Sequence, residues 1–186
     1  STLSGVVTID STQNAFAALK EDGTVVAWGQ KGYGGGLPSG LSGVKSIYSS
    51  SRAFVALRED GTIEGWGHSL EGIPNGLTGV KVIYSTSGAF AALTDDGSVA
   101  AFGASDMGGT GMPNGLRNIK TISSNVAAFA ALKIDGEVVV WGDKNFGGNL
   151  PQRLTGVKAL YSSNNEFAAL KQDGSVAAWG HSRWGG

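Results

Sequence analysis

The apolar positions of this chain follow one phrase written five times. "AFAALKEDGTVVAWG" runs from Ala15 to Gly29. It recurs as "AFVALREDGTIEGWG" from Ala53, "AFAALTDDGSVAAFG" from Ala89, "AFAALKIDGEVVVWG" from Ala128 and "EFAALKQDGSVAAWG" from Glu166. Each copy reads as a β-hairpin: a short apolar strand, an Asp-Gly turn whose glycine supplies positive φ, then a strand ending at an aromatic before Gly. The turn glycines Gly23, Gly61, Gly97, Gly136 and Gly174 are spaced by 38, 36, 39 and 38 residues, a period that marks a solenoid or a propeller. A further strand precedes each hairpin: "GVVTIDS" at Gly5, "GVKSIYS" at Gly43, "GVKVIYS" at Gly79, "NIKTISS" at Asn118 and "GVKALYS" at Gly156.

Three antiparallel strands per repeat form a meander. "AFAAL" and "VVAW" are apolar on both faces, so both faces must be covered. No helical pattern is present to cover them, which leaves the neighbouring repeats. Sheets stacked face to face around an axis make a propeller, with Ala17 and Ala18 allowing close approach while Phe16, Leu19 and Trp28 fill the gaps. A β-solenoid is the runner-up, but its coils run shorter and need no Asp-Gly hairpin in each repeat. The reading is all-β: five short three-stranded blades at residues 5–41, 42–77, 78–116, 117–154 and 155–186. The blades either close on themselves or form part of a larger ring of up to seven. A partial ring leaves two apolar sheet faces uncovered, which favours closure at five.

After the third strand comes a loop with its own signature: "WGQKGYGG" at Trp28, "FGASDMGG" at Phe102, "WGDKNFGG" at Trp141 and "WGHSRWGG" at Trp179. The second copy, "WGHSLEG" at Trp66, is one residue shorter. With the L-x-x-D-G-x-V hairpin, this pattern resembles the repeats of the regulator of chromosome condensation family. The short period resembles most the family's compact bacterial branch, which includes a propeller inhibitor of β-lactamases. Gly-Gly stands where that family usually has Gly-Gln. The resemblance implies a β-propeller, no conserved catalysis, and protein binding through loops on one face.

Composition changes this picture little. The 31 glycines suit turn chemistry, and the near-balance of 14 basic and 15 acidic residues leaves no basic stripe for nucleic acid. No apolar run is long enough to insert in a membrane as a helix. The absence of cysteine excludes thiolate metal sites and a Cys nucleophile. His68 and His181 fall at equivalent loop positions without a third ligand. The turn carboxylates are committed to the turns. Serine is frequent, as in "YSSS" at Tyr48, but no elbow motif or partner base accompanies it, and "GYGGG" at Gly32 lacks the Lys-Ser/Thr of a phosphate loop. The expectation is a protein that is not an enzyme and takes no cofactor.

Two places vary between otherwise constant copies. One is the loop residue before Gly-Gly: Tyr33, Met107, Phe146 and Trp184, with Leu70 or Glu71 in the short copy. These side chains either plug the gaps between blades or ring one face as anchors for another protein. The second place is the polar turn between the first two strands. The column Asp10, Tyr48, Tyr84, Ser123 and Tyr161 is expected to face water or the central channel, Lys45, Lys81, Lys120 and Lys158 a solvated rim, and Glu64 an outer edge. A protein-binding or scaffold propeller, free-standing or a subunit of a larger assembly, with its protein partner on the loop face, is the first reading; a lectin-like propeller holding a glycan between blades is the alternative.

Overall fold

The computed structural model describes residues 3–183. Each repeat is a separate sheet of three antiparallel strands in sequence order. The first blade comprises β1 (Val6–Ser11), β2 (Ala15–Lys20) and β3 (Val25–Gly29). The second comprises β4 (Val44–Ser49), β5 (Ala53–Arg58) and β6 (Ile63–Gly67), and the third β7 (Val80–Ser85), β8 (Ala89–Thr94) and β9 (Val99–Gly103). The fourth holds β10 (Ile119–Ser124), β11 (Ala128–Lys133) and β12 (Val138–Gly142), and the fifth β13 (Val157–Ser162), β14 (Glu166–Lys171) and β15 (Val176–Gly180). Three short 3-10 turns are the helical elements among the described residues. The chain is a β-propeller assembly of five blades.

The Asp-Gly turns are three-residue loops with the expected glycine at positive φ. In the second blade the Arg58 amide donates to Thr62 and the Gly61 amide to Arg58, with Gly61 at φ 77°. That is a type I turn closed by a left-handed glycine. An Asp60 oxygen accepts from the Thr62 hydroxyl at 2.6 Å and its amide at 2.9 Å. Bonds of this kind hold Asp22, Asp60, Asp96 and Asp173 below the ordinary aspartate value of 3.8, the hydroxyl bond being the largest cause in each.

Blades meet through a fixed division of the second strand. Ala15, Ala17 and Leu19 point forward onto Phe54, Ala56 and Trp66 of the next blade. Equivalent positions recur at the second, third and fourth junctions, with Val55 and Phe102 in place of alanine and tryptophan at the second. Phe54 and Trp66 stack with centroids 5.2 Å apart, and each blade repeats that stack, with Phe102 in place of tryptophan in the third. Such stacks add about 0.5–1.5 kcal/mol beyond burial. Two backbone bonds recur at every junction. Val44, Val80, Ile119 and Val157 donate to the turn glycine of the preceding blade, each at 3.0 Å. Near the axis Gln13 donates to Ser51, Ser51 to Ser87, Ser87 to Val126 and Val126 to Asn164.

Closure at five is not what the structure shows; the blades form an open arc. β5, β8 and β11 are buried along both faces, whereas β2 and β14 are covered on one. Phe16 and Trp28 are 46% and 38% exposed where their counterparts Phe54 and Trp66 are 0% and 5%. At the far end Tyr161 and Val176 are open to solvent. The column containing Asp10, Tyr48 and Tyr84 faces the next blade and not the channel: Asp10 accepts from Ser49 and Tyr84 meets Thr121. Tyr161 is exposed because it has no next blade. The four lysines of the rim are exposed, and Glu64 is half-buried and paired with Arg58.

Two predictions follow from the turns. A Cβ on Gly61 would stand 3.0 Å from the Gly79 nitrogen, while on Gly174 it would meet nothing within 4 Å. Both glycines carry positive φ, so Gly174→Val reports backbone strain alone, about 1 kcal/mol. Gly61→Val adds the clash with the next blade and is expected to cost measurably more in denaturant titration; equal losses would refute the junction role. The lowered aspartates give the sign of the acid response. Their contribution is full above their unfolded value and is lost as pH falls through the lower folded one. Unfolding midpoints should therefore fall below about pH 4, and Asp60→Asn should flatten that fall.

Candidate binding face

Each loop leaving a third strand folds back onto the turn between the first two strands of its own blade. The amides of Gln30, His68, Ala104, Asp143 and His181 donate to the carbonyls of Asn14, Arg52, Gly88, Ala127 and Asn165. Five loops and five turns therefore share one face, opposite the Asp-Gly hairpins. In three blades a polar turn side chain fixes the loop end: Thr12 donates to the Tyr33 carbonyl, Thr86 to Met107 and Asn125 to Phe146, at 2.7–2.9 Å. The same column, continued by Ser50 and Ser163, also accepts from the amide opening the second strand in every blade. The variable turn thus contains a constant hydroxyl or amide position that sequence reasoning missed, although Thr12, Ser50, Thr86, Asn125 and Ser163 were visible at the repeat spacing.

The candidate anchors end these loops. Tyr33, Met107 and Phe146 close 3-10 turns at Lys31–Tyr33, Ser105–Met107 and Lys144–Phe146. All three, and Leu70, are half-buried and packed against the blade junctions. Tyr33 lies under the guanidinium of Arg52 from the next blade, at 5.6 Å, and Phe146 meets His181 edge-on. Trp184 lies outside the described residues, and Glu71 sits exposed in the short loop.

The glycine after each anchor couples neighbouring blades. Gly34, Gly108 and Gly147 are left-handed and lie against the Phe-Trp stack of the following blade; a Cβ on Gly108 would approach the Phe129 ring to 2.7 Å. Their carbonyls accept the indole N–H of Trp66, Trp141 and Trp179 at 2.9–3.1 Å. The short second loop makes no such bond, and the blade that follows carries Phe102, which has no N–H to satisfy. The Gly103 amide donates to Glu71 instead.

Around the axis the face sinks into a cavity of about 640 Å³ lined from all five blades by Ser, Thr, Asn and Gln, with Val126 the one apolar wall. The last residue of every first strand is serine: Ser11, Ser49, Ser85, Ser124 and Ser162. Beside this well, the short loop opens a cleft of about 460 Å³ between the second and third blades, bounded by Arg52, His68, Ser69, Asp106 and Met107. A second hollow of about 450 Å³ lies on the other side of the same loop, at Ser69, Glu71, Asp106 and Thr110. Ser69 is left-handed, with φ 59°. A non-glycine residue held there stores backbone strain. Among the described residues no three His, Asp or Glu side chains cluster to hold a metal ion.

No protein-family model and no curated protein matches this sequence. Solved structures do. The ectodomain of the receptor kinase CR4 from Physcomitrella patens aligns with TM-score 0.65 and 18% identity over 94% of this chain and 51% of that one. Yeast RCC1 (Prp20), in its complex with Kap60, aligns with TM-score 0.60 and 19% identity over 94% and 56%. Human WBSCR16 gives TM-score 0.63 and 16% identity over 94% and 61%. The chain spans between half and two thirds of the length of these structures. The likenesses show an RCC1-like propeller fold.

The loop–tryptophan bond is directly testable. Trp141→Phe keeps the stack and removes one buried donor, leaving the Gly108 carbonyl without its partner. A loss of about 1 kcal/mol is expected. Phe102→Trp in the next-door context places a donor where the short loop offers no glycine carbonyl, and should destabilise rather than help. Equal stability of Trp141→Phe and the parent chain would show that the bond contributes nothing.

Proposed function

We propose that this chain is a non-enzymatic, protein-binding propeller that seats its partner on the loop face, centred on the cleft between the second and third blades. The single observation that carries this reading is the break in repeat symmetry there. Among the described residues, three loops follow one pattern and close their blade gaps. The short loop leaves two adjoining hollows, exposed Arg52, His68 and Asp106, the flexible thioether of Met107, and strained Ser69. A partner segment finds in that cleft both charges and an apolar floor, the mixture that protein interfaces use.

The loop face also suits macromolecular binding because its backbone is already anchored, so little ordering is required on association. Its charges are mixed in sign, which fits a protein partner better than a polyanion. Yeast Prp20, of the same fold, is described for its binding to Gsp1p and histones. The L-x-x-D-G-x-V hairpins and short period support placing the repeats with the compact bacterial branch of the regulator of chromosome condensation family. A neutral glycan is the second reading, favoured by the hydroxyl-lined well.

A photo-crosslinking side chain placed at position 52 or 106 should capture one protein species. The same probe at position 45, on the opposite face, should not. Against that partner, Arg52→Ala and Asp106→Ala, both exposed at the cleft, are each expected to weaken binding tenfold or more, with about 1 kcal/mol or less lost in stability. Phe146→Ala, remote from the cleft and packed in a junction, should lower the melting temperature and leave affinity nearly unchanged. Equal crosslinking from both faces would overturn the assignment. Glycan-array binding lost with Ser51→Ala and Ser87→Ala, without protein capture, would favour the glycan.

A further inference from the structure

The two ends of the arc carry matched, unused halves of the junction that the interior repeats four times. At the first blade the rear stack of Phe16 and Trp28 is half exposed, and Ile9 is 57% exposed where Ile47, Ile83 and Ile122 are 3–7%. The Trp28 indole has no acceptor among the described residues, whereas Trp66, Trp141 and Trp179 each bond the glycine carbonyl of the blade behind. At the fifth blade the forward face is open at Tyr161 and Val176. The Asn164 amide, which should continue the axial ladder, and the Gly174 carbonyl, which should accept from the next first strand, find no such partners among the described residues.

The interior junctions show what covers faces of this kind. A forward Ala-Ala-Leu face takes a rear Phe-Trp face, and the Ala-Val-Leu face of the second blade takes Phe90 and Phe102, each with the same two backbone bonds in fixed register. The tryptophan adds a rule of specificity. A long loop with its left-handed glycine precedes Trp66, Trp141 and Trp179, and the short loop precedes Phe102. The residue at this position therefore reports the loop of the blade behind it. Trp28 reports a long one.

We propose that the rear face of the first blade is a docking surface for a further blade of this same repeat, one ending in the long Gly-Gly loop. A whole second copy is the wrong occupant. Continuing the same turn, it would bring ten blades around one axis, whereas propellers complete a turn in about 4–8. The sector left open takes at most about three blades. The surface is distinct from the loop face, so its occupancy is independent of the protein-binding reading above.

The test extends the full chain beyond Gly186 by one, two or three copies of its own residues 110–148, which keep the repeat period and end in the long loop. The readouts are solution mass, thermal midpoint and acrylamide quenching of Trp28, isolated by comparison with Trp28→Phe. One length is expected to be monomeric, to shield Trp28 and to melt higher than the parent. Replacing its last unit with residues 36–72, which end in the short loop, should lower the midpoint by about 2–4 °C. Trp28→Phe should abolish that difference. In the unextended chain Trp28→Phe should leave the midpoint unchanged, while Trp141→Phe lowers it. The proposal is overturned if no length shields Trp28. It is equally overturned if the short-loop ending serves as well as the long one, or if the parent chain already shields Trp28 as a dimer.

Discussion

The central strand of each repeat is apolar on both faces, and the rest of the molecule is organised by the need to cover it. Burying such a strand on one side leaves a sheet face in water at about 25 cal/mol per Å² of apolar area. A helix could cover it, but the connections are short and glycine-rich. The only apolar surface of the right shape is another copy of the same sheet. Alanine at the forward positions brings the sheets together, and the phenylalanine and tryptophan behind fill the space that approach leaves. Propeller geometry is the result of that pairing repeated, and the covered strands β5, β8 and β11 against the half-covered β2 and β14 show the rule and its limit in one chain.

Most of the fold was legible because periodicity carries long-range information. Fifteen strands, five meanders and the apolar junctions all follow from a phrase whose copies align residue by residue. Closure was not legible. Whether the last blade meets the first depends on the angle between blades, which no local pattern encodes, and the cost of exposed faces pointed the wrong way. The column at Tyr48 and Tyr84 was misplaced for a related reason. The mixture of Asp, Ser and Tyr at that column suggested solvent, but where a blade follows, each of these side chains finds a partner in the next blade's first strand or core, as Asp10 does in Ser49 and Tyr84 in Thr121. At the loops, residue types identified the half-buried positions Tyr33, Leu70, Met107 and Phe146. The cleft beside them, bounded by Arg52, Asp106 and strained Ser69, came from a one-residue deletion whose spatial effect the sequence does not spell out.

Repeat proteins communicate between nearest neighbours, and the tryptophan–glycine bond is a clear instance. Shortening one loop removes a carbonyl from the adjoining blade, and that blade has phenylalanine in place of tryptophan. The two changes are separated by some thirty residues of sequence but by a single hydrogen bond in space. Leaving tryptophan there would have buried an indole N–H without a partner, a cost of about 1–3 kcal/mol. The symmetry break at the second loop is therefore accommodated structurally rather than tolerated as damage. It has been absorbed by its neighbour, and the cleft it opens stands on a stable junction.

That accommodation bears on where the proposed binding face lies. The side chains of the interior second strands are committed to junctions, and the hairpin face is occupied by Asp-Gly turns whose carboxylates are spent on the hydroxyls and amides of their own turns. Changing either would loosen two blades at once. The loop face differs. Its backbone is held by main-chain bonds and by Thr12, Thr86 and Asn125, so the outward residues between those fixed points can change without disturbing the sheets. Constancy of frame with freedom of side chain is what a recognition surface requires. The second loop departs from that frame: it is one residue shorter, its end takes no bond from the Ser50 hydroxyl, and the neighbouring blade answers it with Phe102 where the others carry tryptophan.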